Sequence, residues 1–220
     1  MHEPLVIEIG PGKGALTRKL LERSDRVVAI ELDGVLAAEL RSKFDGSRLE
    51  IIECDVLDVD LAQWGPAVVA GNLPYYITSP ILNKVLRLSP TISRAVFLVQ
   101  KEVADRLTAA PGSRDYGYLT IVTGVFSTPR YLMTVPPGAF HPPPKVDSAV
   151  VQLDLKPSLP SDDDFLEFAS LCFRQKRKIL RNNLVARFPG IAAQAESGQR
   201  AEQLSIAQLL DLFWRLTRVT

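Results

Sequence analysis

Short apolar runs of β type alternate with helical runs through the first 155 residues, and this rhythm constrains the fold more than any other feature. Residues 5–9 (LVIEI), 26–32 (RVVAIEL), 48–55 (RLEIIECD), 66–72 (PAVVAGN), 95–100 (AVFLVQ) and 149–155 (AVVQLDL) read as strands. Residues 14–24, 34–44, 79–88 and 101–109 read as helices between them. In the first of these, Leu16, Leu20 and Leu21 share one helical face, and Pro80 falls in the first turn of the third, where a missing N–H costs little. Residues 118–126 (YLTIVTGVF) fit a helix or a strand equally. Strands joined by helices of about 10 residues predict an α/β fold with a mostly parallel sheet covered on both faces.

The pattern changes after residue 156. Residues 156–164 (KPSLPSDDD) read as a linker ending in acidic N-cap candidates, and helical stretches follow over 164–187, 190–198 and 205–217. The expected organisation is a ligand-binding domain over 1–156 and a small helical domain over 157–220. With 46% hydrophobic residues the chain can build a sizeable core, and its net charge of +1 means that any anionic partner must be read by a local patch. Cys54 and Cys172 have neither CxxC nor zinc spacing, and His2 and His141 are too few for a histidine cluster. No metal, no membrane span and a reduced cytoplasmic setting are therefore expected. No signal-peptide pattern is seen, and a monomer is expected.

The strand ends hold the chemistry. Residues 8–15 (EIGPGKGA) place Gly10, Gly12 and Gly14 at a strand-to-helix joint, where backbone can approach a ligand closely. Gly10, Gly12 and Ala15 satisfy G-x-G-x-x-G/A, a pattern that an empty βα turn also satisfies. Glu31 ends the second strand, 21 residues beyond Gly10, where an acid can accept both ribose hydroxyls of an adenosine cofactor. Asp55 ends the third and could receive the exocyclic amine of adenine. Taken singly, each acid could equally be a solvated or turn-capping carboxylate; together the three strand ends predict an adenosine site. Leu32 and Val56, next to the acids, are counted with it.

The fourth strand end distinguishes a dinucleotide from S-adenosylmethionine. It reads Asn72-Leu73-Pro74-Tyr75, more than a turn requires. An adenine N6 is a poor nucleophile because its lone pair is delocalised into the ring. Accepting both amino hydrogens, on the Asn72 amide oxygen and the Leu73 carbonyl, would favour a lone pair aimed at a sulfonium methyl. Pro74 would stiffen the carbonyl, and Tyr75 offers a face for a base drawn out of its stack.

These residues carry a resemblance to the KsgA/RsmA-type small-subunit ribosomal RNA adenine dimethyltransferases. Residues 8–17 (EIGPGKGALT), 29–33 (AIELD), 71–82 (GNLPYYITSPIL), 97–107 (FLVQKEVADRL) and 140–151 (FHPPPKVDSAVV) match that family in order, and 173–184 (FRQKRKILRNNL) and 201–205 (AEQLS) extend the match to the helical part. The resemblance implies a seven-stranded Rossmann-like class I methyltransferase sheet with a small C-terminal helical domain. It implies S-adenosylmethionine as cofactor and N6,N6-dimethylation of two adjacent adenosines in the 3′-terminal hairpin of small-subunit rRNA, within an immature small subunit. By the same resemblance Gly10, Gly12, Glu31, Leu32, Asp55, Val56 and Asn72 bind the cofactor, while Asn72, Leu73, Pro74, Tyr75 and Phe140 surround the target adenine. It also implies an N-terminal arm. With nine residues ahead of Gly10, the chain is expected to lack that arm, to fold without it and to hold the cofactor more weakly. The rivals are a large-subunit rRNA adenine methyltransferase of the erythromycin-resistance type, which fits residues 71–82 and 173–184 less well, and a non-catalytic RNA-binding assembly factor.

Arg174, Lys176, Arg177, Lys178, Arg181 and Arg187 lie in a stretch without acids. On the helix expected over 164–187, Arg174, Arg177, Lys178 and Arg181 line one face, with Phe168, Cys172 and Ile179 opposite. Arg174, Lys176, Arg177, Lys178 and Arg181 are the expected phosphate contacts.

Overall fold

The computed structural model describes residues 2–44, 46–157 and 162–217. Seven strands form one sheet: β1 (Glu3–Ile9), β2 (Ser24–Glu31), β3 (Leu49–Glu53), β4 (Ala67–Asn72), β5 (Ile92–Gln100), β6 (Ser127–Val135) and β7 (Ser148–Leu155). Their order is β3-β2-β1-β4-β5-β7-β6. β1 to β5 run parallel and β7 runs antiparallel to both β5 and β6. The helices α1 (Ala15–Leu21), α2 (Gly34–Lys43) and α3 (Thr78–Leu86) lie on the crossovers between parallel strands, and α4 (Lys101–Leu107) continues directly from β5. Buried Leu5, Val6, Ile7 and Ile9, with Val27, Val28, Ala29 and Ile30 beside them, make the neighbouring strands β1 and β2 largely apolar. That is the pattern of a parallel sheet covered on both faces.

Winding outward from β1 goes one way to β2 and β3 and the other way to β4 and β5, so the order reverses between β1 and β4. Open parallel sheets bind ligands outside the carboxyl ends of their strands at such a reversal. Here the two strands meet closely. Ile9 stands opposite Gly71, and a Cβ on Gly71 would lie 2.6 Å from the Ile9 carbonyl oxygen. Glycine is required there by backbone contact, not by turn geometry.

The chain divides into two compact units. One holds the residues up to Ala104 with Ser127–Pro157; the other holds Asp105–Phe126 with the chain beyond Pro157. A single cut at 156/157 therefore misplaces Asp105–Phe126. The reason lies in α5 (Tyr118–Phe126), the segment of ambiguous pattern. It is helical despite its β-branched residues, with Ile121, Val122 and Phe126 buried. Gly124 opens a gap for α8 (Ile206–Thr217): a Cβ there would stand 2.3 Å from Ile206 Cδ1. In the same unit α6 (Asp162–Phe173) and α8 share an aromatic core, with Phe165 and Phe168 each 5.5–5.8 Å from the Phe213 ring. α6 opens on Asp162, Asp163 and Asp164, as the acidic N-cap candidates suggested. Of the expected linker 156–164, residues 158–161 lie outside the described residues.

Three other expectations change. β6 has no counterpart among the strands read from the sequence, because it is an edge strand with a bulge at Tyr131/Met133 and carries Pro129, which an edge tolerates. The predicted helix over 190–198 is two 3₁₀ turns, Pro189–Ala193 and Ala195–Gly198. The basic stretch is not one helix. α6 stops at Phe173, residues 174–178 form turns, and α7 spans Leu180–Leu184. Asn183 Nδ2 donates to the Cys172 carbonyl at 2.8 Å and closes the end of α6, while Leu180 N–H donates to the Gln199 carbonyl at 2.8 Å. These contacts, and full burial of Leu180, outweigh the helical preference of a run crowded with like charges.

Gly71→Ala is expected to lower stability by about 1–3 kcal/mol, as overpacking against a fixed backbone does. Chemical denaturation measures this, and a cost below experimental error would show that β1 and β4 part freely.

Candidate active site

The site grows from the carboxyl ends of β1 to β4. Gly10, Gly12 and Gly14 have φ of 67°, 55° and 78°, the left-handed region that favours glycine. Gly10 N–H donates to the Ile30 carbonyl at 3.0 Å and fixes the loop to β2. A Cβ on Gly10 would be 3.7 Å from the Asn72 carbonyl oxygen, so the glycine loop and the N-L-P-Y segment are neighbours across the reversal. A Cβ on Gly12 would meet nothing within 4 Å. The loop backbone there faces open space, as a site for a closely approaching ligand needs.

Glu31 is buried and spans the site. Its Oε2 accepts the Gly12 N–H and its Oε1 the Asp33 N–H, both at 3.0 Å. Each oxygen keeps a lone pair for a ribose hydroxyl. Asp33 caps α2, with Oδ1 accepting from Val35 N–H at 2.8 Å and Leu36 N–H at 3.2 Å. Leu32 is 60% exposed and Val35 is exposed with it, an apolar rim beside the acid that suits a flat heterocycle. Asp55 follows β3 and its Oδ1 accepts the Leu57 N–H at 2.8 Å, so one oxygen holds a turn and the other is left for a ligand. Val56 is buried, and only its backbone could reach the site. These donors and acceptors fit an adenosine cofactor: one acid ending β2 and another two residues beyond β3, an apolar rim, and glycine backbone without side chains.

Next to them lies a cleft of about 370 Å³ formed by Asn72, Leu73, Pro74, Tyr75, Phe140 and the prolines 142–144. It brings together the five residues expected around a target base. Asn72 is exposed at the end of β4. The Leu73 side chain is buried and its N–H donates to the Leu98 carbonyl at 3.0 Å, so its carbonyl is the group it can offer. The Pro74 carbonyl is occupied, accepting from Thr78 Oγ1 at 3.1 Å and Ile77 N–H at 3.2 Å. Tyr75 is 37% exposed, and its hydroxyl is 2.9 Å from Ser148 Oγ. Phe140 is half-buried.

Sequence reasoning misses Ser148 and Thr78. Both are buried hydroxyls that brace the N-L-P-Y turn, and their position inside the family-like stretches 140–151 and 71–82 is the one signal that could have found them. It misses Glu8 as well. That residue is 1% exposed, two residues before Gly10, and burial, ahead of the nearby Glu31 charge, pushes its carboxyl up to about 7.

In the helical unit Arg174, Lys176, Arg177, Lys178 and Arg181 are all exposed. Lys176 Nζ is bonded to the Arg114 carbonyl, so it ties down a loop of its own unit. The other four have no carboxylate partner among the described residues. Their common helical face does not exist, but a cluster of unpaired cations over two turns and α7 does. Among the described residues no group of three or more His, Cys, Asp or Glu could hold a metal ion, and no helix is long and apolar enough to cross a membrane.

A seven-stranded sheet of this order, with a nucleoside-type site at its reversal, defines a Rossmann-like class I methyltransferase. The family model for ribosomal RNA adenine dimethylase matches residues 2–218, and the chain belongs to that family. A ribosomal RNA small subunit methyltransferase A of Acidobacterium capsulatum is 45% identical over 232 residues, covering 96% of this chain and 80% of the relative. The protein of the same name from Thermosynechococcus vestitus is 43% identical, over 94% of this chain and 84% of its own. Among solved structures, a dimethyladenosine transferase from Plasmodium falciparum superposes with a TM-score of 0.83 at 28% identity, covering 97% of this chain and 90% of that one. The 23S rRNA methyltransferase ErmE gives 0.79 at 30% identity, covering 97% and 91%.

Because burial raises Glu8 from the ordinary carboxylate range, the folded state binds more protons than the unfolded one between about pH 4.5 and 7. Stability should therefore fall as pH rises through that window. Glu8→Gln removes the ionisation and is expected to be the more stable form at about pH 8, by on the order of 2–3 kcal/mol, with the gap closing below about pH 4.5. Denaturant titrations of both proteins at the two pH values check this.

Proposed function

We propose that this chain is an S-adenosylmethionine-dependent rRNA adenine N6,N6-dimethyltransferase that acts on two adjacent adenosines of the small-subunit 3′-terminal hairpin during subunit maturation. The observation that carries the reading is the abutment of two half-sites: the Gly10–Glu31 cradle touches the base-sized cleft at Asn72. Membership of the adenine dimethylase family and the small-subunit relatives support the substrate.

When bound, the cofactor supplies an electrophilic methyl on a sulfonium. The chain's own residues do the rest. Glu31 takes the ribose hydroxyls, Asp55 meets the adenine amine, and Leu32 packs on the ring. Gly10, Gly12 and the Val56 backbone give the ligand room and hydrogen bonds. The target base stacks between Tyr75 and Phe140, worth about 1–3 kcal/mol per base–ring contact. Asn72 and the Leu73 carbonyl accept its two amino hydrogens and turn the nitrogen lone pair toward the methyl. Pro74 keeps that carbonyl in place, because its own carbonyl is fastened to Thr78 and Ile77. No strong base is needed, since the proton leaves after methyl transfer. Arg174, Arg177, Lys178 and Arg181 hold RNA phosphates, and Lys176 positions the loop at Arg114.

The test is incubation with labelled cofactor and immature small or large subunits, followed by mapping of methylated adenines. Label on adjacent small-subunit adenosines is expected. Label confined to large-subunit rRNA would transfer the reading to the erythromycin-resistance type, and no label on either would leave a non-catalytic assembly factor.

Asn72→Ala should fold normally and lose roughly 10²–10³ in turnover, the cost of removing one preorganised polar contact. Single-turnover methylation measures this; a rate near wild type would remove Asn72 from the chemistry. Reversing Arg177 and Arg181 to Glu should weaken RNA binding, flatten its salt dependence and leave cofactor affinity unchanged. An unaltered salt slope in filter binding would show the cluster to be merely solvated.

A further inference from the structure

Among the described residues, Glu8 is the one buried carboxyl that the proposed chemistry does not use. It lies on β1 directly before the glycine loop, and its lateral neighbours Ala29 on β2 and Ala70 on β4 offer it no polar group. Its Oε2 has no hydrogen-bond partner. Thr17, in the first turn of α1, is fully buried near enough to ease the ionised form, yet its Oγ1 is also without a partner. Two buried oxygens without a partner, on residues that act on one another at either end of the glycine loop, call for an explanation. Among the described groups Glu31 on β2 supplies the charge that acts on Glu8, and its sign is unfavourable. α1 contributes Thr17 alone, since Arg18 and Lys19 are exposed, as is Lys13 in the loop. Glu31 in turn grips Gly12 N–H. The two acids are therefore linked through the same backbone that the cofactor must touch.

We propose that Glu8 is a positioning residue carrying an exchangeable proton: neutral while the site is free, ionised when S-adenosylmethionine is held, so that cofactor binding releases a proton to solvent. The inference rests on the cofactor reading above. The cofactor brings a fixed positive charge and ribose donors that spread the Glu31 charge, and both effects favour ionised Glu8. Ionised Glu8 is also the better acceptor for the Thr17 hydroxyl and N–H, which pins α1 to the loop. Burial holding the free carboxyl near pH 7 puts the exchange in the physiological range.

The test uses the full chain. In protein labelled with carbon-13 at glutamate side chains, with Glu8→Gln for assignment, the free Glu8 carboxyl should titrate near 7. Calorimetry with S-adenosylmethionine in buffers of contrasting ionisation enthalpy should show release of most of a proton at about pH 6. The dissociation constant should rise roughly tenfold for each unit of pH below about 7. Glu8→Gln should bind with an enthalpy independent of buffer and an affinity flat in pH. A Glu8 titration in the ordinary carboxylate range overturns the inference and leaves the cofactor reading standing. So does cofactor binding without proton release, or equal release by Glu8→Gln. Failure to bind at any pH, with Glu8 still titrating near 7, overturns the cofactor reading and the linkage together.

Discussion

The site depends on how closely β1 and β4 approach at their carboxyl ends. Gly71 lets the Ile9 carbonyl come where any side chain would stand. With that contact made, the chain leaving β1 as Gly10 and the chain leaving β4 as Asn72 emerge side by side. Sheet reversal supplies the crevice, and the missing Cβ sets its width. Every later feature, from the cofactor cradle to the base cleft, is hung on these two exits.

Glu31 converts the crevice into a shaped surface. A loop with three glycines at positive φ has high freedom in the unfolded chain, and something must hold it once folded. The Glu31 carboxylate holds it with one oxygen through Gly12 N–H, while its other oxygen takes the N–H of Asp33, which caps α2. A single buried acid thus ties the first βα turn to the second. Placing a charge there is costly unless hydrogen-bonded, and two backbone donors meet that condition. Burial is the main reason that the neighbouring Glu8 resists ionisation, and the Glu31 charge adds to it, so the group that orders the loop also bears on the proton state of β1.

The parallel core was legible because β1, β2 and β4 are nearly continuous apolar runs, and the structure places Glu31 at the end of β2 and Asp55 just beyond β3, where the sequence puts the two acids. What escaped had weaker local signals. β6 is half exposed, interrupted by Pro129, and defined by its pairing with β7. The pattern of α5 fits a helix or a strand equally, and Thr120 Oγ1, which accepts the Gly117 N–H and donates to the Arg106 carbonyl, with Thr123 Oγ1 bonding back to Leu119, fixes helical turns. The broken basic stretch is decided by Asn183 reaching back to Cys172 and by Leu180 going inside, contacts of long range that no periodicity carries. The cationic residues are exposed as a solvent-facing cluster, but not along the straight helical face that their spacing predicts.

The cleft shows why a proline-rich segment belongs to the same machinery as the N-L-P-Y turn. Tyr75 leaves β4 on a 3₁₀ turn, and an exposed ring on so short an element would swing freely. Its hydroxyl is anchored to Ser148, fully buried at the first position of β7. Ser148 pairs with Gln100 of β5 on one side and Val135 of β6 on the other, so the anchor is the sheet itself. The chain between β6 and β7 then has to cross the mouth of the cleft, and prolines 142–144 restrict its backbone without needing hydrogen bonds from a sheet. Phe140 lies on that segment and lines the same cleft as Tyr75. Two rings 65 residues apart in sequence thus line one cleft, one fastened to the sheet by a hydroxyl pair and the other carried on a proline-restricted segment.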